Sequence, residues 1–512
     1  MTLLIFLTAC KPAAEDAAAW AIEPVSVYSS GYDKGTEIIS VQDSTRRAVL
    51  SISSTGEVDV LDLREPEHIH RVARFNLGLA KDKGEELTSV AFHPSLDLFA
   101  AIIDDGNRLG RLELRSAANG ELIEKIEVGY GPDAVIFSKD GHLVLIANEG
   151  EDFWFDRSTK EFFTPEGSVT MVRLNDKGKI TENVNIALAD ITNHEGFIVT
   201  QGGRFLTREV DWNGDGAISK NQDFDGNGKI EKTKVKLGTF QGSDVFGIES
   251  QGERQILIPI NNYSPALLEP EYIAISPSST KAYVTLQEDD AVAVIDLQKG
   301  QIQNYFNLGY THHAADTNSD GWIDFNENIS GSREPDGISV TSDGYYFVTA
   351  DEGDTEIDDN ANGVEHSTSG GRTVSVFDTE TGELVGDTGN QLDEEAFNKH
   401  VYPDRRSTKK GSEPEMLVSF EIDGVPLVAV GLERAGAIEL ISLEDPSRPT
   451  VLTLGKIPGE EIKSPEGIAH FMAGHEHYLL TADETSGTVE CFKVTHKQNS
   501  KLNQLADFIK QR

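Results

Sequence analysis

The sequence predicts an all-β fold, a seven-bladed β-propeller, from two repeating patterns. In the first, a proline followed by an acid opens an apolar stretch, and a glutamate closes the next stretch 16 to 18 residues after that acid; this occurs five times. In the second, a short run of alternating apolar residues occurs seven times. Four short strands per unit of roughly 40 to 50 residues, with turn signals between them, are typical of propeller blades.

Each pattern is assigned to a strand of the blade. The proline-acid pair opens the first strand, where proline removes no ladder hydrogen bond, and the glutamate ends the second strand. The alternating runs form the third strands: Glu57 to Leu63, Arg111 to Ala117, Ser168 to Leu174, Ala291 to Leu297, Thr373 to Thr379, Ala437 to Leu443 and Thr488 to Val494. Ring closure is left open, with Val25 to Ser29 as a possible outer strand of the last blade.

The expected organisation is one domain over residues 25–494, interrupted by an insert at about 175–268. A tether at 11–24 precedes it. Residues 495–512 carry Leu502, Leu505, Phe508 and Ile509 at helical spacing, which predicts a short amphipathic C-terminal helix.

The N-terminus resembles a bacterial lipoprotein signal, residues 1–10, in which Leu7-Thr8-Ala9 precedes a lipidated Cys10. The positive residues usual at the start of such signals are missing and only nine residues precede the cysteine, so the alternatives are a true start further upstream and a chance match. The signal predicts an exported protein, lipid-anchored to the outer membrane and facing the periplasm or the cell surface. No later segment is long and apolar enough to span a membrane.

Composition excludes some partners. The formal net charge of −41 repels nucleic acid and anionic lipid and favours divalent cations. We therefore expect no nucleic-acid partner, and contact with a membrane only through the lipid anchor.

The acids of the first pattern are predicted to line the mouth of the central channel, because the start of the first strand lies beside the end of the second, antiparallel strand. The ten are Asp133, Glu149, Glu271, Glu288, Asp336, Glu352, Glu415, Glu433, Glu466 and Glu484. Carboxylates so close repel one another unless a cation or hydrogen bonds compensate. One interpretation is that these acids form a cation site or a substrate funnel. The other is that each acid accepts hydrogen bonds from turn amides of its own blade.

Three segments have the alternating carboxylate and amide pattern of calcium-binding loops, with a glycine at the sharp turn. The most complete has ligands Asp316, Asn318, Asp320, Trp322 (backbone), Asp324 and Glu327, the last at the twelfth position. Two tandem loops within 211–234 offer Asp211, Asn213, Asp215 and Ser219, then Asp223, Asp225, Asn227 and Glu231. Calcium is therefore the expected cofactor, with the role of stabilising the propeller. An Asp/Asn/Gly-rich turn that binds nothing tightly is the alternative.

Several strings together resemble the bacterial choice-of-anchor I proteins over about Tyr28 to Val494. They include Gly131-Pro-Asp133 through Ala147-Asn-Glu-Gly150, Pro335-Asp-Gly-Ile338 with Thr349-Ala-Asp-Glu-Gly-Asp354, and Pro465-Glu-Gly-Ile468 with Ala482-Asp-Glu-Thr-Ser-Gly487. The resemblance implies a secreted or surface-anchored propeller of the YVTN/WD40-like kind. Some relatives are labelled alkaline phosphatases, and the strings are also similar to phytase-like propellers. This implies Glu466, Glu484, Asp336 and Glu352 as candidate catalytic positions.

Two functions from different classes follow. The first is a calcium-stabilised surface propeller that binds a partner or ligand as a scaffold or recognition module. The second is a calcium-dependent phosphoester hydrolase that uses the acidic ring. The sequence lacks a nucleophile elbow, a zinc signature and a Walker loop, so binding is the preferred reading. Arg254, Arg333, Arg372 and Arg434 could hold an anionic group, although pairing with the acids is the expected role.

Overall fold

The protein is a propeller of seven four-stranded antiparallel sheets, which confirms the predicted fold class. A computed structural model describes residues 20–106, 108–150, 165–188, 268–353, 370–459 and 463–496, together with the backbone of six strands in the intervening segments. Every run predicted as a third strand occupies that position in its blade.

The first three blades follow the chain in order, each with its innermost strand first. The first blade has β2 Thr36–Gln42, β3 Arg47–Ile52, β4 Glu57–Asp62 and β5 His70–Asn76. The second has β6 Glu86–Phe92, β7 Leu98–Asp104, β8 Arg111–Ser116 and β9 Leu122–Glu127. The third has β10 Pro132–Phe137, β11 Leu143–Asn148, β14 Ser168–Leu174 and β15 Ile180–Ala187.

The remaining blades repeat this order. Their strands are β20 Pro270–Ile275, β21 Lys281–Leu286, β22 Ala291–Asp296 and β23 Gln301–Asn307; β26 Pro335–Val340, β27 Tyr346–Asp351, β28 Thr373–Asp378 and β29 Leu384–Asp387; β30 Pro414–Ile422, β31 Val425–Leu432, β32 Ala437–Ser442 and β33 Thr450–Lys456; β34 Pro465–Ala473, β35 Glu476–Asp483 and β36 Thr488–His496, with β1 Trp20–Ser29 as the outer strand.

The ring closes through the N-terminal strand. β1 pairs antiparallel with β36 over its whole length, from Trp20 opposite His496 to Ser29 opposite Thr488. Val25 to Ser29 does supply the outer strand, and that strand begins earlier, at Trp20, inside the segment expected as a tether. His496 also belongs to β36 rather than to the expected C-terminal helix, and residues 497–512 lie outside the described part of the chain.

A register shift lies near the start of every innermost strand: it follows the second paired residue in β6 and the first paired residue in the other six. In β10, Pro132 pairs with Asn148 and the next paired residue is Val135, so Asp133 is left out of the ladder. The same shift leaves Glu271, Asp336, Glu415 and Glu466 without a partner opposite. Such a bulge re-aims a side chain, and here it takes each acid away from the blade's own pairing.

The hydrophobic core lies between adjacent blades. Leu145 and Val169 of the third blade, for example, pack with Val284 and Ala293 of the fourth, and all four are fully buried. Equivalent clusters of buried aliphatic and aromatic residues fill the other interfaces between blades. The blades therefore hold one another in place, and the inner strands hold their first residues around the channel.

Several elements are inserted between the strands and blades of the propeller. Short strands β12 Trp154–Asp156 and β13 Glu161–Phe163 join β16 Gly202–Leu206, β17 Val235–Phe240, β18 Ser243–Ser250 and β19 Glu253–Ile260 in a six-stranded sheet. The insert expected from about residue 175 starts after β15, since Ile180–Ala187 is the outer strand of the third blade. A hairpin, β24 Tyr310–Ala315 and β25 Glu327–Ser332, precedes the fifth blade, and helix α1, Gln391–Asn398, follows it.

Short 3₁₀ turns complete the elements, at Pro66–His68, Lys81–Lys83, Gln287–Asp289 and Asp404–Arg406. Within the described residues, none of the helices has the length and apolarity needed to cross a membrane.

Candidate cation site at the channel mouth

The structure places the predicted acids on one face of the ring. Asp133, Glu271, Asp336, Glu415 and Glu466 lie at the bulge of their innermost strands. Glu149, Glu352, Glu433 and Glu484 each follow the last residue of a second strand. Glu288 lies in the turn after β21, and its side chain is outside the described part of the structure.

Three of these acids meet in one group. Carboxylate oxygens of Asp336, Glu352 and Glu415 all lie within 4.8 Å of one another. Asp336 and Glu352 come from the fifth blade, whereas Glu415 comes from the first strand of the sixth. We call these three residues the carboxylate triad.

The triad fits a hard divalent cation. Carboxylate oxygens are the ligands that calcium and magnesium prefer. The Oε2 atom of Glu415 is buried and accepts no hydrogen bond within the described structure, and a buried oxygen without a partner is costly. A cation between the three carboxylates would satisfy that oxygen and neutralise the group.

Burial and mutual repulsion raise the pKa values around the ring. Burial, and then the neighbouring Glu352 carboxylate, raise the pKa of Asp336 to about 7. Burial raises the pKa of Glu433 to about 7 although Arg434 opposes the shift, and burial followed by Glu433 raises the pKa of Glu466 to about 9. Without a counter-ion, part of this ring therefore holds protons at neutral pH.

The other first-strand acids behave in the same way. Burial is the largest cause that raises the pKa values of Asp133, Glu271 and Glu415 well above the ordinary range. Neighbouring carboxylates add to this: Glu149 acts on Asp133 and Glu271, and Asp336 acts on Glu415. Since acids of different blades influence one another, they share one electrostatic environment around the channel.

Sequence reasoning missed one member of the ring. Glu37 follows Thr36, which takes the position that proline holds in five other blades, and the same register shift comes after it. Burial, opposed by a hydrogen bond from Ser53, raises the pKa of Glu37 to about 7, and Glu484 contributes to the rise. In the second blade the position is occupied by Thr88, inside the shift of β6. Comparing the starts of all first strands, with or without proline, would have revealed Glu37.

Cationic groups reach the ring from one side. Lys410 Nζ lies 2.8 Å from Glu352 Oε1, and Gln287 Nε2 donates to the other oxygen of that carboxylate at 2.7 Å. Arg434 pairs with both Glu433 and Glu413. Lys410 belongs to a loop after α1, far in sequence from Glu352, and sequence patterns did not assign it to the site.

The complete calcium-loop pattern forms the connection between β24 and β25. Asp316 is buried at its start, and its Oδ2 accepts a hydrogen bond from Ser407 Oγ at 2.8 Å. Gly321 has a φ of 83°, the left-handed conformation expected at the sharp turn. Ile323 packs against the core cluster of the fifth and sixth blades and so anchors the loop to the propeller.

The loop also receives an acid that the pattern did not include. The backbone N–H of Gly321 donates to both carboxylate oxygens of Asp404, at 3.2 and 3.3 Å. Burial raises the pKa of Asp316 although the hydrogen bond from Ser407 opposes this, and the charges of Asp404 and Asp324 add to the rise. The indole of Trp322 is 74% exposed, so its contribution to a site would be its carbonyl oxygen.

Other candidate positions have different outcomes. The tandem loops at 211–234, the side chain of Arg254 and Cys10 lie outside the described residues. Arg333 and Arg372 are fully buried: Arg333 pairs with Asp351 at 3.0 Å, and Arg372 donates to the backbone carbonyl of Asp316 at 3.0 Å. These two arginines are structural, whereas Arg434 lies at the mouth.

Comparison with known proteins agrees with this fold. The model of the Choice-of-anchor I domain matches residues 37–368 and 358–446. A search of curated proteins found no match.

Among solved structures, a chain of the Kuenenia stuttgartiensis hydrazine synthase is 10% identical, with a TM-score of 0.49, covering 91% of this chain and 99% of its own. Sqt1 of Saccharomyces cerevisiae is 10% identical, with a TM-score of 0.47, covering 93% and 100%. A chain of a mitotic checkpoint complex is 8% identical, with a TM-score of 0.46, covering 96% and 99%. Likeness at this level carries no argument about activity.

Proposed function

The chain belongs to the choice-of-anchor I family, and from that premise we propose that it is a surface propeller module that binds a divalent cation, calcium, at the carboxylate triad. Membership makes it a surface-associated, extracytoplasmic propeller. The proposal adds a cation at the channel mouth, where an external ligand would meet the protein.

One observation carries the proposal. Three carboxylates from two blades converge within 4.8 Å, and one of their oxygens, Glu415 Oε2, is buried without a hydrogen bond in the described structure. If these acids capped turn amides, each would be satisfied within its own blade. Convergence across a blade interface instead suits an ion that joins the blades, because a cation turns their repulsion into attraction.

We further propose a second, structural calcium in the loop from Asp316 to Glu327. Its ligands would be Asp316, Asn318, Asp320, the Trp322 carbonyl, Asp324 and Glu327, and Asp404 lies close enough to the loop to join them. Extracellular loops of this kind bind calcium with dissociation constants on the order of 0.1 to 1 mM. Its role would be to fasten the hairpin to the propeller.

Thermal unfolding in chelator and in calcium tests both sites. Calcium should raise the melting temperature of the wild-type protein. Asp336→Asn should remove the part due to the triad, and Asp320→Ala the part due to the loop. Glu383→Gln is the matched control, because Glu383 is an exposed acid in a turn of the fifth blade. An unchanged calcium response in Asp336→Asn would refute the triad site.

A phosphoester hydrolase is the second candidate, and the pKa values favour keeping it. Glu433, which is not a member of the carboxylate triad and has a pKa of about 7, is suited to proton transfer near neutral pH. When bound, calcium would supply charge neutralisation for a phosphoryl group. Phosphate release from a monoester, a diester and phytate should then depend on calcium and be lost in Glu352→Gln. Absence of calcium-dependent turnover in the wild type leaves the binding function alone.

We also propose that Cys10 carries the lipid anchor and that the protein is held at the outer membrane. The support is the Leu-Thr-Ala-Cys string followed by Lys11. Metabolic labelling with a palmitate analogue should mark the full chain and not Cys10→Ser. Equal labelling of both proteins would disprove the assignment.

A further inference from the structure

A basic pocket lies beside the channel mouth. It has a volume of about 480 Å³, and its described lining is cationic: Arg405, Arg406, Lys409 and Arg434. We propose that this pocket is a binding site for a phosphate dianion, either free or as the end of a phosphomonoester.

The concentration of positive charge is unusual for this chain. Acids outnumber Lys and Arg by 86 to 45 over the whole sequence. The loop after α1 nevertheless carries four cations in six residues, Arg405-Arg406-Ser407-Thr408-Lys409-Lys410, and Arg434 arrives from the turn after β31. Bringing four of these cations around one cavity costs electrostatic repulsion, which a bound anion would relieve.

Two of the arginines are held in position by a buried carboxylate. Glu413 is buried, and its carboxylate accepts from Arg406 Nε at 3.0 Å and from Arg434 Nε at 3.2 Å. Arg434 also pairs with Glu433. Each guanidinium has five N–H donors, so both retain donors for a ligand. A guanidinium that is already oriented loses less freedom on binding.

Arg405 differs from the other two arginines of the pocket. Arg405 has an exposed side chain, and within the described residues it makes no ion pair or hydrogen bond. It is therefore available to a ligand from solvent. The pocket thus combines two arginines positioned by Glu413 with one solvent-accessible arginine.

The chemistry of the lining favours a phosphate group over a simple carboxylate. Three of the four described lining residues are arginines, and planar guanidinium groups match phosphate oxygens with paired N–H donors. A phosphate offers at least three oxygens to these donors, whereas a carboxylate offers two.

The pocket adjoins the carboxylate triad. Lys410, next to the lining residue Lys409, contacts Glu352, and Arg434 follows Glu433, whose charge raises the pKa of Asp336. A bound phosphate and a bound cation would therefore be neighbours. The phosphate site does not depend on the cation, because its donors are all side chains of the pocket.

Titration calorimetry with inorganic phosphate at pH 8, in chelator, tests the proposal. The wild-type protein should bind one phosphate per chain. The double variant Arg405→Ala/Lys409→Ala should lose roughly tenfold or more in affinity, since two charge-assisted contacts are removed. Lys139→Ala/Lys177→Ala removes the same charge from exposed turns of the third blade and should bind as the wild type does.

Three results would overturn the proposal: no phosphate binding, equal losses in the two double variants, or acetate binding as tightly as phosphate. Circular dichroism of each variant verifies that it is folded. The Arg405→Ala/Lys409→Ala variant should keep the calcium-dependent rise in melting temperature. Failure of the phosphate site is thereby distinguished from failure of the cation site.

Discussion

Replacing Asp336 by asparagine should make the metal-free protein more stable at alkaline pH. The folded-state pKa of Asp336 is about 7, above its ordinary value of 3.8. The folded protein therefore keeps a proton that the unfolded chain loses. Asp336 contributes full stability below about pH 4, and that contribution is lost as the pH rises through 7.

The magnitude follows from the pKa difference. A rise of about three units, at about 1.4 kcal/mol per unit, corresponds to roughly 4 kcal/mol at pH 8. The gain in Asp336→Asn should be smaller, a few kcal/mol, because the variant also alters the hydrogen bond between Asp336 and Glu415. Calcium should reverse the order. A cation at 1,000 times its dissociation constant adds about 4.1 kcal/mol to a protein that keeps the site, which exceeds the expected gain of the variant.

Urea unfolding at pH 5 and pH 8, in chelator and in calcium, measures these differences. In chelator, the stability of the variant relative to wild type should increase from pH 5 to pH 8. In calcium at pH 8, wild type should regain its advantage. If Asp336→Asn is the less stable protein in chelator at pH 8, Asp336 acts as a structural cap, and the repulsion argument is wrong. Glu383→Gln should follow the wild type throughout.

Three further perturbations have expected outcomes. Glu439→Leu should raise the free energy of unfolding at pH 8 by about 1 to 3 kcal/mol in urea titrations. Both carboxylate oxygens of Glu439 are buried without a hydrogen bond among the described residues, and burial raises the pKa of this group. Glu490→Leu is the control and should not raise the free energy of unfolding, because it loses the hydrogen bond that Thr488 donates to Glu490. Arg333→Ala should cost about 3 to 5 kcal/mol by leaving Asp351 buried without its charge partner; a loss under 1 kcal/mol would contradict the structural role. A chain beginning at Gly31 lacks β1 and should melt well below the full chain, and an equal melting temperature would exclude closure through β1.

Local patterns were sufficient to predict the propeller. The alternating runs mark third strands because those strands are buried on both faces between blades, as the neighbouring residues Val292 and Ala293 show by packing into two different core clusters. All five proline-acid pairs open innermost strands. Both signals come from backbone pairing within a blade, which depends on neighbouring residues in the sequence.

The candidate site was only partly predictable, because its members come together across blades. Asp336, Glu352 and Glu415 were all in the predicted ring, yet their separation depends on how two blades pack. Lys410 and Asp404 reach the mouth and the calcium loop from an irregular loop with no repeat to mark it. Glu37 was missed because Thr36 replaces the proline, although the bulge that defines the position depends on pairing rather than on proline.

Anomalous diffraction from crystals of the protein soaked in calcium tests the cation site most directly. We expect a peak bonded to carboxylate oxygens of Asp336, Glu352 and Glu415 at about 2.3 to 2.6 Å. A peak in the loop from Asp316 to Glu327 would show that calcium had entered the crystal. Calcium in that loop with none at the triad would show that the carboxylate triad is not a calcium site.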